Sequence, residues 1–407
     1  MGTKILVIDD DKTHLDLIDT ILSKSGYSVL ALGDSTQAME QIASFMPDVL
    51  IVDLMMPKTD GFSVIKNVRA VKEYDFIKIL VLSGKSFSYD KGRAYELGAN
   101  AYVTKPIEVE QFREQVKMVL SNEIKVTFWG SRGTVPTAYP EFMKYGGNTS
   151  CVSVEFSQGR FFVFDAGTGV IRLGDHLLAQ KKRLKINMFI SHPHWDHIHG
   201  LPFFKPAFMQ GNELAIYGSA HGDISLREVL SGQMESIYFP ITIREYAARV
   251  YFKELLEGKY SIDGITVQTI LLNHPGNTLG YKVSDSNGKS VAYVTDNELV
   301  PKSLGTMDPH FMEKLRAFLH GADVLIHDSS YFDDEYKTKV GWGHPPISEL
   351  LRLAGQAGVK TLYLFHHDPA HDDRKVAEKE AFANAYIKEH ALNLRCFAAV
   401  EGTSLTF

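Results

Sequence analysis

Cysteine is almost missing from this 407-residue chain: Cys151 and Cys396 are the only two. A single pair excludes a disulfide framework and fits a reducing compartment. No uncharged apolar run approaches the roughly 18 residues that cross a bilayer. The start, Met1-Gly2-Thr3-Lys4, has no signal-peptide pattern. Positive charge is not in excess either. The 43 Lys and Arg face 49 Asp and Glu, a net charge of −6, which disfavours long nucleic acid as a partner while leaving room for a local basic pocket. Internal repeats, low-complexity tracts and Gly/Ser-rich linkers are absent as well. What remains is ordinary for a globular protein, 44% apolar and 23% charged. The length calls for two or three domains. A cytoplasmic, multi-domain protein without a membrane partner is expected.

Up to residue 122 the chain alternates strand and helix patterns. Strands are expected at Lys4–Ile8, Val29–Leu32, Val49–Leu54, Lys78–Ser83 and Ala101–Thr104. Between them, Leu15, Ile18, Ile21 and Leu22 recur at helical spacing. Helices are also expected over Ser35–Phe45, Phe62–Val71 and Lys91–Leu97, and around Phe112, Val116 and Leu120. Five such units imply a parallel sheet covered on both faces, with ligands gathering at the carboxyl ends of its strands. Asp9, Asp10, Asp53, Ser83 and Lys105 all fall at those ends. Converging carboxylates raise one another's pKa unless a hard cation such as magnesium sits among them.

These residues resemble the receiver domain of two-component response regulators across nearly the whole fold. The resemblance implies a doubly wound, flavodoxin-like (βα)5 domain over 1–122. It makes Asp53 the phosphoacceptor, Asp9 and Asp10 magnesium ligands, Ser83 the switch hydroxyl, Tyr102 the rotating aromatic and Lys105 the lysine beside the phosphoryl group. Met55, Pro57, Gly61 and the Lys105-Pro106 pair fit the same pattern. A sensor histidine kinase is the implied partner.

The last receiver helix is expected to end near Ser121-Asn122 and to feed the strand starting at Ile124 with no flexible linker. Later comes Ser191-His192-Pro193-His194-Trp195-Asp196-His197-Ile198-His199-Gly200, directly after the apolar run Ile186–Ile190. Neutral imidazoles and a carboxylate crowded at a strand end stay unsatisfied unless a cation orients them. Imidazole plus carboxylate suits zinc, manganese or iron, and the residues alone do not choose among these. Further candidates, His274, Asp296 and the adjacent His366 and His367, follow other strand-like runs.

The pattern His-x-His-x-Asp-His resembles the metallo-β-lactamase superfamily, which implies a four-layer αββα sandwich over 123–407. By that resemblance His192, His194 and His274 hold one metal, Asp196, His197 and His366 the other, and Asp296 bridges them. His366 is favoured over His367 by the strand-end position the family uses. Asp165 matches the aspartate that supports the motif loop, and His199 has no place in the ligand set. Gly130-Ser131-Arg132-Gly133-Thr134-Val135-Pro136 and Gly146-Gly147-Asn148-Thr149-Ser150 look like the ribonuclease Z and cyclic-phosphodiesterase branch. So do Asp328, in place of that branch's Glu, and His344.

A carboxylate-oriented histidine beside two metals suits phosphodiester cleavage, the histidine donating to the leaving oxygen. The expected function is therefore a dinuclear-metal phosphodiesterase controlled through Asp53. Its expected substrate is a small nucleotide, cyclic or cyclic dinucleotide, and a homodimer is compatible. The alternatives are a metal-centre sensor, in its concrete form a di-iron centre binding oxygen, a ribonuclease Z-like RNA hydrolase and, more distantly, a β-lactam or thioester hydrolase. Met234, Tyr238, Phe239 and Pro240 offer either a pocket wall or ordinary core.

Overall fold

The computed structural model describes residues 2–84, 88–121, 123–156, 159–181, 183–299 and 310–407. Asn122, at the expected end of the receiver helix, lies outside the described residues. The chain divides into two compact units, one built on Met1–Glu123 and the other on Ile124–Glu155, Arg160–Tyr260 and Thr266–Phe407.

In the first unit the apolar runs become strands β1 (Lys4–Ile8), β2 (Ser28–Leu32), β3 (Val49–Asp53), β4 (Lys78–Ser83) and β5 (Ala101–Thr104). They pair in parallel in the order β2-β1-β3-β4-β5. Alternate side chains of each strand serve opposite faces. Leu6, Ile8, Leu50 and Val52 pack with Ile42, Phe62 and Ile65 of helices α2 (Ala38–Phe45) and α3 (Gly61–Arg69). Ile5, Val7, Ile51 and Leu80 pack with Ile18, Leu22, Phe112 and Val116 of α1 (Lys12–Ser23) and the helix Val109–Ser121. Asp11 caps α1, its Oδ1 accepting from Thr13 N and His14 N. The expected helix over Ser35–Phe45 is split. Asp34 Oδ1 accepts from Thr36 N, closing a tight 3-10 turn over Ser35–Gln37 before the α-helix begins at Ala38.

The second unit has two seven-stranded sheets. One runs Arg249–Glu254, Glu213–Gly218, Lys185–Phe189, Arg160–Phe164, Cys151–Phe156, Ile124–Gly130, Ser404–Thr406. The other runs Gly258–Ile262, Ile265–Leu271, Leu279–Ser284, Ser290–Val294, Val324–Asp328, Thr361–Phe365, Arg395–Ala398. An aromatic layer joins them: Phe164 stacks on Tyr293 with centroids 5.3 Å apart, and Phe189 meets Tyr281 at 5.3 Å. The outer face of the first sheet buries Val163, Met188 and Ile216 with Val170, Leu173 and Leu177 of the helix Gly169–Ala179. The second sheet is covered by the helices Phe311–Leu319, Ile347–Gln356 and Asp373–Glu389. The layers are therefore helix, sheet, sheet, helix, as an αββα sandwich requires. Ser290–Val294, Val324–Asp328 and Thr361–Phe365 are parallel neighbours, so their carboxyl ends open on one side. No described helix is long and apolar enough to cross a membrane.

Candidate metal centre and phosphoacceptor site

In the first unit Asp9, at the end of β1, and Asp53, at the end of β3, are buried beside the exposed Asp10. Their carboxylate oxygens lie within 4.8 Å of one another. Lys105 Nζ donates to Asp53 Oδ2 at 2.6 Å and to Asp9 Oδ2 at 2.8 Å. Burial pushes the Lys105 pKa down, but the two carboxylates outweigh it and the net shift is upward, so the ammonium persists. Gly61 is required: a Cβ there would overlap the Asp53 carbonyl. Tyr102 is hydrogen-bonded to Ser83, and burial raises its pKa.

The second centre gathers residues from both sheets. Asp165, Ser191–His197, Asp296, Asp328 and His366 all lie at the carboxyl ends of strands. His192, His194, His274 and Asp296 form one group whose donor atoms lie within 4.8 Å of one another, and Asp196, His197, Asp296 and His366 form another. Asp296 belongs to both, and also to a third such group with Asp328, His344 and His366. In the first group Asp296 Oδ2 is 3.6 Å from His192 Nε2 and 3.7 Å from His274 Nε2. In the second, His366 Nε2 is 3.1 Å from both Asp196 Oδ2 and Asp296 Oδ1. His197 Nε2 is 3.1 Å from Asp196 Oδ2 and 3.3 Å from Asp296 Oδ1. Yet that buried nitrogen makes no hydrogen bond. A buried orphan nitrogen facing two carboxylates is what a cation among them would satisfy, so the residues present fit divalent metal ions.

The shell behind these groups sets their orientation. Asp165, fully buried, accepts from Ser191 N at 2.7 Å, Ser191 Oγ at 2.8 Å, Tyr293 Oη at 2.7 Å and His197 Nδ1 at 2.8 Å. The last bond fixes the tautomer that presents His197 Nε2 as a donor atom. Burial pushes the pKa of His192, His194 and His274 down, which keeps them neutral. Burial alone would raise Asp196 and Asp296, but neighbouring histidines, foremost His197 for Asp196 and His366 for Asp296, hold both well below the ordinary carboxylate range. Asp165, Asp296 and His366 adopt positive φ angles of 59°, 22° and 57°. Non-glycine residues in that region carry strain.

His344 Nδ1 lies 2.7 Å from Asp328 Oδ2, and Asp328 Oδ1 accepts from Ser330 N at 2.9 Å and Ser330 Oγ at 2.7 Å. Burial opposes protonation of His344, but Asp328 prevails and raises its pKa to about 9. The His344 ring stacks on His366 with centroids 5.1 Å apart.

Every expected site residue of the second unit therefore meets at one end of the sandwich. His366 faces the group, whereas His367 Nε2 is 3.2 Å from Ala399 O. His199 is exposed. Met234 is core, Tyr238 is 74% exposed, and the cavity over His194, Asp296 and His344 is lined by other residues. Several supporting residues carry no sequence signal. Glu298, fully buried, accepts from Gly341 N at 2.8 Å, from Gly343 N at 3.0 Å and from Tyr336 Oη. Lys379, fully buried, donates to Ser329 O at 2.6 Å and Ser330 O at 3.0 Å. Gly343, at φ 86°, has its carbonyl 3.1 Å from His274 Nδ1, and a Cβ there would overlap that ring. The glycine pattern was legible, but not the imidazole against it.

Residues 160–367, just over half of the chain, match the β-lactamase superfamily domain, and residues 5–117 match the response regulator receiver domain. The chain belongs to the β-lactamase superfamily and carries a receiver domain ahead of that fold. The alkaline phosphatase synthesis transcriptional regulatory protein PhoP of Bacillus subtilis (strain 168) is 37% identical over 120 residues, 30% of this chain and 49% of that protein. The chain thus spans about half the length of that curated relative. The metallo-β-lactamase fold protein YhfI of Bacillus subtilis superposes with a TM-score of 0.50 at 19% identity, over 70% of this chain and all of that one. This is a likeness of fold. The short form of human tRNase Z gives a TM-score of 0.46 at 20% identity, covering 69% of this chain and 98% of that one.

Proposed function

We propose that this chain is a two-component response regulator whose output is a dinuclear-metal phosphodiesterase, acting on a cyclic nucleotide or cyclic dinucleotide. The observation that carries the reading is the sharing of Asp296 by two donor groups, with the Asp328–His344 pair set beside them. In this reading His192, His194 and His274 would hold one metal and Asp196, His197 and His366 the other, with Asp296 available to both. The donors suit zinc, manganese or iron. Bound metals supply a hydroxide nucleophile and neutralise charge developing on the phosphorus oxygens. Asp328 holds His344 by Nδ1, leaving Nε2 to carry the proton. As the phosphorus–oxygen bond to the leaving group breaks, His344 Nε2 delivers that proton to the departing oxygen. Asp165 holds the motif loop so that His197 keeps its donor atom inward.

In the receiver, Asp53 takes a phosphoryl group from a histidine kinase, magnesium binds at Asp9 and Asp10, and Lys105 pairs with the new charge. Ser83 and Tyr102 respond to it. The added charge biases a two-state element and so regulates turnover. The purified full chain is expected to hydrolyse bis-p-nitrophenyl phosphate in a metal-dependent way and to lose that activity in His194→Ala and Asp196→Ala. Equal rates in wild type and variants would overturn the assignment.

A further inference from the structure

The cavity over the donor groups holds about 700 Å³. Its floor is the histidines and carboxylates already described. Its wall is different in kind, with Trp195, Trp342, Tyr331 and Lys339 lining it. Trp195 is 80% exposed and Trp342 57% exposed. Two indoles left in water around one opening are an exposed apolar surface of the sort that marks a binding site. Trp195 lies between His194 and Asp196 in the chain and lines the same cavity as those donors. Lys339 Nζ lies 3.9 Å from the Trp342 ring centroid and 5.9 Å from that of Tyr331. A cation is thus held on aromatic faces at the mouth of the cavity.

The segment that bears Lys339 and Trp342 is not slack. Glu298 binds Gly341 N and Gly343 N, on either side of Trp342, and Tyr336 Oη at the start of the turn. Trp342 N also donates to Lys339 O, closing the turn on itself. A buried carboxylate with three donors gives the wall a fixed shape before any ligand arrives, which lowers the entropy cost of binding.

We infer that Trp342, Trp195 and Lys339 form a nucleotide subsite. The planar base stacks on the indoles, and the ammonium of Lys339 pairs with a phosphate oxygen. Indoles accept any nucleobase face, and the lysine supplies the charge that an uncharged aromatic would not need. This deepens the phosphodiesterase reading and rests on it only for the position of the scissile phosphate.

Binding of AMP and of ribose 5-phosphate to the purified full chain tests the inference by calorimetry. Both are monoesters with one phosphate, so their difference reports the base. AMP is expected to bind on the order of tenfold more tightly. Trp342→Ala should bring AMP close to ribose 5-phosphate, and Trp342→Phe should keep most of the preference. Lys339→Met should weaken both probes by a similar factor and flatten their salt dependence. Equal binding of the two probes by the wild type would overturn the subsite. So would a base preference that survives in both Trp342→Ala and Trp195→Ala. Because the readout is binding, absence of diester hydrolysis with the base preference intact removes the proposed reaction and leaves the subsite standing. Hydrolysis without a base preference does the reverse.

Discussion

Replacing Lys379 by methionine probes how the chain holds the loop under Asp328. Lys379 is fully buried on the helix Asp373–Glu389, and its ammonium donates to Ser329 O and Ser330 O and contacts His371 Nδ1 at 3.0 Å. Burial lowers its pKa from the usual 10.5 to about 8. That drop is worth about 3 kcal/mol, and it is the cost of keeping the charge at neutral pH. Methionine removes this cost but strands two carbonyls, at roughly 1–3 kcal/mol each. At pH 7 the two effects oppose one another and are of the same order. The pH dependence is sharper. Below about pH 8 the lysine is protonated in folded and unfolded chains alike, and stability does not change with pH on its account. Between about 8 and 10.5 the unfolded chain binds more protons, so wild-type stability rises with pH relative to the variant, by up to about 3 kcal/mol. Guanidinium unfolding followed by tryptophan fluorescence reads the right unit, because Trp129, Trp195 and Trp342 are the only tryptophans and all lie in the second one. A stability difference between the two proteins that stays flat across that window would refute the reasoning. Turnover should also fall in Lys379→Met, since Ser330 bonds Asp328 directly.

Three further outcomes are expected. Gly343→Ala puts a methyl into the His274 ring and strains a backbone at φ 86°; metal content measured by plasma emission should fall below that of the wild type, and an unchanged content would contradict the placement of His274. Asp165→Ala removes the anchor of Ser191, His197 and Tyr293; affinity for metal in chelator competition should drop roughly 10–100-fold, and an unaltered affinity would count against its orienting role. Asp53→Asn should take up no phosphoryl group from acetyl phosphate on a phosphate-affinity gel while the wild type does; equal labelling would place the acceptor elsewhere.

The central strands of the first unit, Lys4–Ile8, Val49–Asp53 and Lys78–Ser83, were readable because each is a largely apolar run buried on both faces, as a parallel sheet requires; the edge strands Ser28–Leu32 and Ala101–Thr104 are only part-buried. Val49–Asp53 shows this best, with its one charged residue where the strand meets the opening. The motif from His192 to His197 was equally local. His274, Asp296 and His366 were not. Each is a single polar residue after a strand, and the resemblance to a family, rather than spacing, tied them together. Glu298 and Lys379 escaped notice for a different reason, and Arg132, read only as part of a motif, gave no sign of its burial. A charged side chain in a polar stretch reads as solvated, and its burial depends on distant partners. For Arg132 these are the carbonyls of Gly146 and His371, and for Lys379 those of Ser329 and Ser330. The left-handed backbone of Asp165, Asp296 and His366 was likewise invisible, because aspartate and histidine give no local cue for it.

The donor set draws on both sheets of the sandwich. His192, His194, Asp196 and His197 follow the first sheet, and His274, Asp296 and His366 follow the second. Any ion they share is a cross-brace at the open end of the molecule, where the aromatic layer between the sheets gives way to polar residues. Stability then becomes a function of metal supply, gaining about 2.7 kcal/mol when the free ion stands at 100 times its dissociation constant. Without that ion the two sheets would part more readily at their open end. Proteolytic clearance of this chain would follow metal availability.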